Sequence, residues 1–152
     1  MSEFFFERLT SDRFGGVAEL ERLCFSSPWS EKSLGMLCTD KNVGFVAVEK
    51  SSGKVAAYGG MLAVLDEGQI TNIATHPDFR RMGLGEGIVA SLIEYCKENG
   101  LVLLSLEVRE SNSAAIALYE KLGFLRAGVR KNFYTAPLEN GIVMIKNIGD
   151  FA

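Results

Sequence analysis

A chain of 152 residues, 47% hydrophobic and 23% charged, is long enough to bury one core and is the size of a single ordinary domain. A net charge of −3 speaks against a nucleic-acid binder that must neutralise many phosphates, and no run of about 18 apolar residues offers a bilayer span. The start MSEFFFERL is acidic and amphipathic where a signal peptide is basic and then apolar, so the expectation is one cytoplasmic domain over 1–152, without nucleic-acid or membrane partners. Cys24, Cys38 and Cys96 show no C-x-x-C spacing, which suggests three packed thiols rather than a disulfide framework or a metal site.

In chain order, FFFERL (4–9) reads as a short strand. Thr10, Ser11 and Asp12 offer N-caps for a helix through about Phe25, although Gly15 and Gly16 weaken its first turn. SSPWSEKSL restarts a helix with Ser30 as its cap. From Val43 the period changes: VGFVAVE, VAAYGGMLAVL and QITNIAT, separated by SSGK and DEG, predict three consecutive antiparallel strands. After RRMGLG, the residues Leu84, Ile88, Val89, Leu92, Ile93 and Cys96 recur at helical spacing up to the stop Asn99-Gly100. LVLLSLEV is apolar and β-rich, as a strand covered on both faces would be. Ser111, Asn112 and Ser113 can cap a helix whose face carries Ala115, Leu118, Tyr119 and Leu122, ended by Gly123. FLRAGVR and GIVMIKNI close the chain as strands. The order β-α-α-β-β-β-α-β-α-β-β predicts an α/β (α+β) fold, a mixed sheet with helices on both faces.

The turn Arg80 to Gly85 joins a strand to a helix, and the unpaired amides and positive dipole end of that helix make an anion site. Gly83 and Gly85 let main-chain amides close on phosphate oxygens, and Arg80 or Arg81 can add charge-assisted bonds. Neither G-x-x-x-x-G-K-[ST] nor the dinucleotide fingerprint is present, and on its own the turn fits tight packing as well as phosphate binding.

Arg80-Arg81-Met82-Gly83-Leu84-Gly85 resembles the [QR]-x-x-G-x-[GA] pyrophosphate loop of the GNAT superfamily of acetyl-CoA-dependent N-acetyltransferases. Leu106-Glu107-Val108-Arg109, Ser111 through Tyr119, Leu122-Gly123-Phe124 and Pro28-Trp29-Ser30-Glu31-Lys32 resemble its RimI-type branch, which acetylates N-terminal amines of ribosomal proteins. The likeness spans most of the chain and is strongest from about 70 to 135. It implies a GNAT-like, mostly antiparallel sheet splayed between its central strands. It also implies acetyl-CoA as cosubstrate, no metal, and a ribosomal-protein N-terminus, its alanine foremost, as acceptor.

The resemblance further implies roles. Glu107 would be the general base and Tyr119 the general acid. Ile73, Ala74 and Thr75 would pair their main chain with the pantetheine arm, while Arg80, Arg81, Met82, Gly83, Leu84, Gly85 and Glu86 hold the pyrophosphate. Asn112 would touch the cofactor, and Trp29 and Tyr134 the acceptor. From the residues alone, Glu107 could equally be a strand carboxylate paired with Arg109 or a helix cap, Tyr119 a core aromatic, and Trp29 a partly buried lid or core residue. His76, beside Pro77, reads as a loop residue. Asn132-Phe133-Tyr134 lacks one hydroxyl of the Asn-Tyr-Tyr usual in that branch, and TAPLENGIVM lacks its acidic-Ala pair unless Glu139 substitutes, so the departures bear on the acceptor rather than on the transfer. A GNAT acting on a small amine or lysine, and a non-catalytic acyl-CoA-binding module, are the alternative functions.

Overall fold

The computed structural model describes residues 2–149. Its strands are β1 (Phe4–Arg8), β2 (Val43–Glu49), β3 (Val55–Val64), β4 (Glu67–Thr75), β5 (Leu103–Arg109), β6 (Leu125–Thr135) and β7 (Leu138–Asn147). Its helices are α1 (Phe14–Cys24), α2 (Glu31–Leu34), α3 (Leu84–Glu98) and α4 (Ser113–Lys121), with 3-10 turns at Ser11–Arg13, Gly35–Cys38 and Pro77–Phe79. The seven strands form one sheet in the order β1-β2-β3-β4-β5-β7-β6, and the pairs β1–β2, β2–β3, β5–β7 and β6–β7 are antiparallel. The parallel pair is β4 with β5, over Glu67, Gly68 and Gln69 against Leu103, Leu104 and Ser105. This register is short for strands of nine and seven residues, as expected of a sheet opened between its central strands.

The chain divides into two compact units, Met1–Leu62 with Thr71–Tyr95, and Ala63–Ile70 with Cys96–Ala152. In the first, the sheet alternation sets the layers: Phe5 packs against the buried cluster that includes Val17, Ala18 and Leu20 of α1, while Phe6 meets α3, where a side chain at Gly87 would stand 2.4 Å from its Cζ. The two helices therefore cover opposite faces. In the second unit, Leu104, Leu106 and Val108 of β5 are buried, and Ser105, Glu107 and Arg109 point to the other face.

Local chemistry explains where boundaries moved. The helix α1 begins at Phe14 with Gly15 and Gly16 inside its first turn; Ser11–Arg13 forms a 3-10 turn ahead of it, so Arg13 rather than the expected Thr10, Ser11 or Asp12 stands at its N-cap, with no side-chain cap bond. The Ser30 hydroxyl accepts from the Ser33 amide at 3.2 Å, the expected cap. The last hairpin is longer than the expected strands 124–130 and 141–148, because β6 runs to Thr135 and β7 starts at Leu138. Its register slips between Arg126 and Gly128 and between Arg130 and Tyr134, where Asn132 has φ 55, and such bulges erase the period-2 pattern. None of the cysteines is in a disulfide: Cys38 is exposed, Cys24 half-buried and Cys96 buried, and burial raises the Cys24 thiol and pushes Cys96 up to about 11. Among the described residues no helix is long and apolar enough to cross a membrane, and no group of three His, Cys, Asp or Glu could hold a metal.

Candidate active site

The turn before α3 is a main-chain feature. Arg81 has φ 65 and Gly83 φ 76, and alternating handedness of this kind curls successive amides toward one point. Gly87 donates its amide to the Gly83 carbonyl at 3.1 Å, so Gly83 stands at the cap just ahead of the 15-residue helix that begins at Leu84. A Cβ at Gly83 would meet nothing within 4 Å, so the space beside it is open and only the backbone torsion selects glycine. Arg80, Arg81 and Met82 are exposed, Leu84 is buried in the core, and Gly85 and Glu86 are half-buried. The glycine chosen for tight packing is Gly87, against Phe6, so the packing and anion readings of this turn fall on different glycines.

Upstream, β4 carries Ile73, Ala74 and Thr75. The Thr75 carbonyl accepts from the Arg80 Nε at 3.4 Å and from the Cys24 thiol at 3.6 Å, which ties the strand end to the turn and to α1. His76 caps the 3-10 turn, its Nδ1 accepting from the Asp78 amide at 3.1 Å, as a loop residue does. Trp29 is half-buried and packs against the hydrophobic cluster that includes Val17, Ala18 and Leu20 of α1.

That region also holds a residue the sequence reading passed over. Glu21 is 0% exposed. It accepts from the Trp29 amide at 2.8 Å, from Asn72 Nδ2 at 2.9 Å and from the Tyr58 hydroxyl. Burial and then the adjoining carboxylate push the Tyr58 hydroxyl far up, so Tyr58 stays a neutral donor. The signal was available: Glu21 stands one turn beyond Val17, on the apolar stripe of α1.

In the second unit, Glu107 projects from β5 with 11% of its side chain exposed. Gln69 Nε2 donates to its Oε2 at 3.4 Å, and the Arg130 Nε lies 3.5 Å from its Oε1. The pairing with Arg109 that the alternative reading of Glu107 offered is not the one found, because Arg109 turns to the hairpin. It donates to the Pro137 carbonyl at 2.9 Å and to Glu139 at 3.2 Å, and lies 4.5 Å over the Tyr134 ring. Glu139 in turn accepts from the Ser111 amide at 2.6 Å. Hydrogen bonding to Ser111, and then the Arg109 guanidinium, hold its carboxyl below the usual range.

Tyr134 is a neighbour of both reactive candidates. Burial raises its hydroxyl first, then the charge of Glu107, with Arg109 opposing. Tyr119 is 7% exposed, its ring edge-on to Phe124 at 5.7 Å, and burial, with Tyr134 nearby, pushes its hydroxyl up to about 12. It is thus the core aromatic of one reading and a neighbour of the Tyr134 and Glu107 group of the other. Asn112 caps α4, its Oδ1 accepting from the Ala115 amide at 3.1 Å. Gln69 and Arg130 were not anticipated at Glu107. The hairpin bulges hide the facing of Arg130, and Gln69 lies on a different strand.

A family model, the acetyltransferase (GNAT) family, matches residues 14–124. The chain belongs to that family. It is similar to the ribosomal protein bS18-alanine N-acetyltransferase of Escherichia coli (strain K12), 41% identical over 127 residues that make up 82% of this chain and 84% of the other. It is also similar to a Bacillus subtilis (strain 168) protein named provisionally for the same activity, 40% identical over 134 residues, 88% of this chain and 89% of that one. The crystal structure of the ribosomal-protein-S18-alanine N-acetyltransferase from Escherichia coli matches with a TM-score of 0.88 at 36% identity, over 99% of this chain and 97% of the other. This GNAT protein is an N-acetyltransferase, and its mixed, mostly antiparallel sheet is that of the family. The family uses acetyl-CoA. A turn with two left-handed residues, open space at Gly83 and two exposed arginines fits the anionic end of such a molecule.

Proposed function

We propose that this chain, acting as a single GNAT domain over 1–152, transfers the acetyl group of acetyl-CoA to the N-terminal amine of a ribosomal protein in the cytoplasm. The N-terminal alanine of bS18 is the acceptor it fits best. The observation that carries this reading is the 41% identity with the E. coli bS18-alanine enzyme across four fifths of both chains. Tyr134, whose hydroxyl is raised in part by the charge of Glu107 and which in turn raises that of Tyr119, stands between the two residues and adds to it.

Acetyl-CoA supplies the acetyl thioester. The amides of the turn from Arg80 to Glu86, with the Arg80 and Arg81 guanidinium groups, hold its pyrophosphate, and the main chain of Ile73, Ala74 and Thr75 aligns its arm as an added strand. Asn112, at the start of α4, contributes a further contact. Trp29 and Tyr134 line the acceptor. As the amine nitrogen bonds the carbonyl carbon, Glu107 takes its proton, directly or through one water; as the carbon–sulfur bond breaks, Tyr119 donates to the sulfur. An α-amine of pKa about 8 leaves some neutral nucleophile at pH 7, so the base has moderate work.

With its hydroxyl pushed up to about 12, Tyr119 is protonated at every working pH. Full transfer to a thiolate whose acid is near 8.5 is strongly uphill, so Tyr119 contributes mainly a hydrogen bond to the developing charge. The test is CoA release with short peptides that begin with alanine, free or acetylated at the N-terminus. Turnover confined to the free amine is expected. Equal turnover of a blocked peptide through a lysine side chain would overturn the N-terminal reading.

A further inference from the structure

A carboxylate with no exposure, in a core of Val17, Ala18, Leu20, Leu34 and Leu37, is not needed to fill space. Removing a charge from water is costly, and apolar replacements of buried polar networks are often neutral or stabilising. Such a group is accounted for by what its hydrogen bonds hold. Glu21 divides its two oxygens: Oε2 receives Tyr58 of β3 and Asn72 of β4, and Oε1 receives the main-chain amide of Trp29 alone. Trp29 lies between α1 and α2, where the Phe25 amide closes α1 on the Glu21 carbonyl and the Ser30 carbonyl opens α2; the Trp29 amide goes to Glu21 instead, and Pro28 before it has no N–H to give. Oε1 is therefore the anchor of the backbone there, referenced through Oε2 to two strands of the sheet.

We propose that Glu21 is a positioning residue for the acceptor: its buried carboxylate fixes the Trp29 main chain against β3 and β4, and so sets the wall along which the acceptor's first residues lie. This rests on the N-terminal acetyltransferase reading, in which Trp29 borders the acceptor. Glutamine keeps the shape but brings an NH₂ to face donors, so at least one of the three partners loses its acceptor.

The test compares wild type with Glu21→Gln on an alanine-initiated peptide, reading KM for peptide, kcat and, separately, acetyl-CoA affinity by thermal shift. The expected result is a rise of about tenfold or more in peptide KM, with acetyl-CoA affinity within about twofold of wild type and a smaller change in kcat. A folded variant with wild-type peptide KM overturns the inference, and so does a parallel loss of peptide and acetyl-CoA affinity, which is what general loosening of the fold gives. If Glu21→Gln does not fold, the triple variant Glu21→Met, Tyr58→Phe, Asn72→Leu replaces the network by apolar side chains and frees only the Trp29 amide. It should show the same selective rise in peptide KM, and wild-type KM in it overturns the inference equally. Wild type inactive on every free N-terminus would instead overturn the functional reading, and this inference with it.

Discussion

On the proposed reading, the working groups of the turn before α3 are main-chain amides, beside a Gly83 with open space around it and the left-handed torsions of Arg81 and Gly83. Around Glu107 they are side chains held by other side chains: Gln69 and Arg130 on Glu107, Arg109 on Tyr134 and Glu139, Glu139 on the start of α4. The first arrangement tolerates most side-chain changes and fails when a torsion is lost. The second tolerates small backbone shifts poorly, and each member is specified by its chemistry. On the proposed reading the turn answers for binding and the cluster for turnover.

The sharpest way to break that division is Tyr119→Phe. The ring and its contact with Phe124 remain, so kcat should fall about 10²–10³-fold while the thermal shift by acetyl-CoA persists. Unchanged kcat would return Tyr119 to the core. The same variant tests the raised pKa. A phenol near 10 unfolded and about 12 folded contributes stability present below pH about 10 and lost as pH rises toward 12. Denaturation midpoints from pH 9 to 11.5 should decline more steeply for wild type than for Tyr119→Phe.

Glu107→Gln comes next, with kcat/KM at neutral pH lower by about 10²-fold and partly recovered above pH about 8, where the acceptor amine is itself deprotonated. Parallel pH profiles from 6 to 9.5, at equal rates per folded molecule, would rule out the base role.

For the turn, Gly83→Val should abolish most of the stabilisation by acetyl-CoA, about 2.7 kcal/mol at 100 times the dissociation constant, while leaving kcat at saturation nearly intact. The cause is torsional, because a side chain there has room but φ 76 disfavours a β-branched residue. A full thermal shift in that variant would remove the turn from the phosphate site.

The smallest effect concerns Glu139. Its depressed carboxyl stabilises the hairpin at pH above the ordinary carboxylate value of about 4.3, and that contribution is lost as pH falls through the folded value. Amide exchange across β6 and β7 between pH 6 and 3 should report it, and Glu139→Gln should flatten the dependence.

The same contrast decides what could be read in advance. Glycines at fixed offsets between a strand and a helix are a one-dimensional record of a backbone shape, so the Arg80–Gly85 turn was legible, as were the strand and helix order and the caps at Ser30 and Asn112. Side-chain partners across a sheet depend on register. The register shift between Arg126 and Gly128 changes the facing of Arg130, which meets Glu107, while Arg109 bonds the hairpin, and neither follows from spacing. Glu21 went unseen for another reason. A single acid on an apolar stripe looks like an imperfection in the pattern until its three donors, from distant parts of the chain, are in view.

The graded exposure of the three thiols has a practical reach. Enzymes that release CoA are followed with dyes that colour on reaction with a free thiol, and this protein brings thiols of its own. Cys38 is exposed and should label in the folded protein at once, Cys24, half-buried with a raised pKa, more slowly, and Cys96, buried with its thiol pushed up to about 11, only when the chain opens. Cys38→Ser would clear the fast background from a turnover trace. In the wild type, the late-reacting Cys96 makes the same dye a clock for unfolding, read in the same cuvette as the reaction.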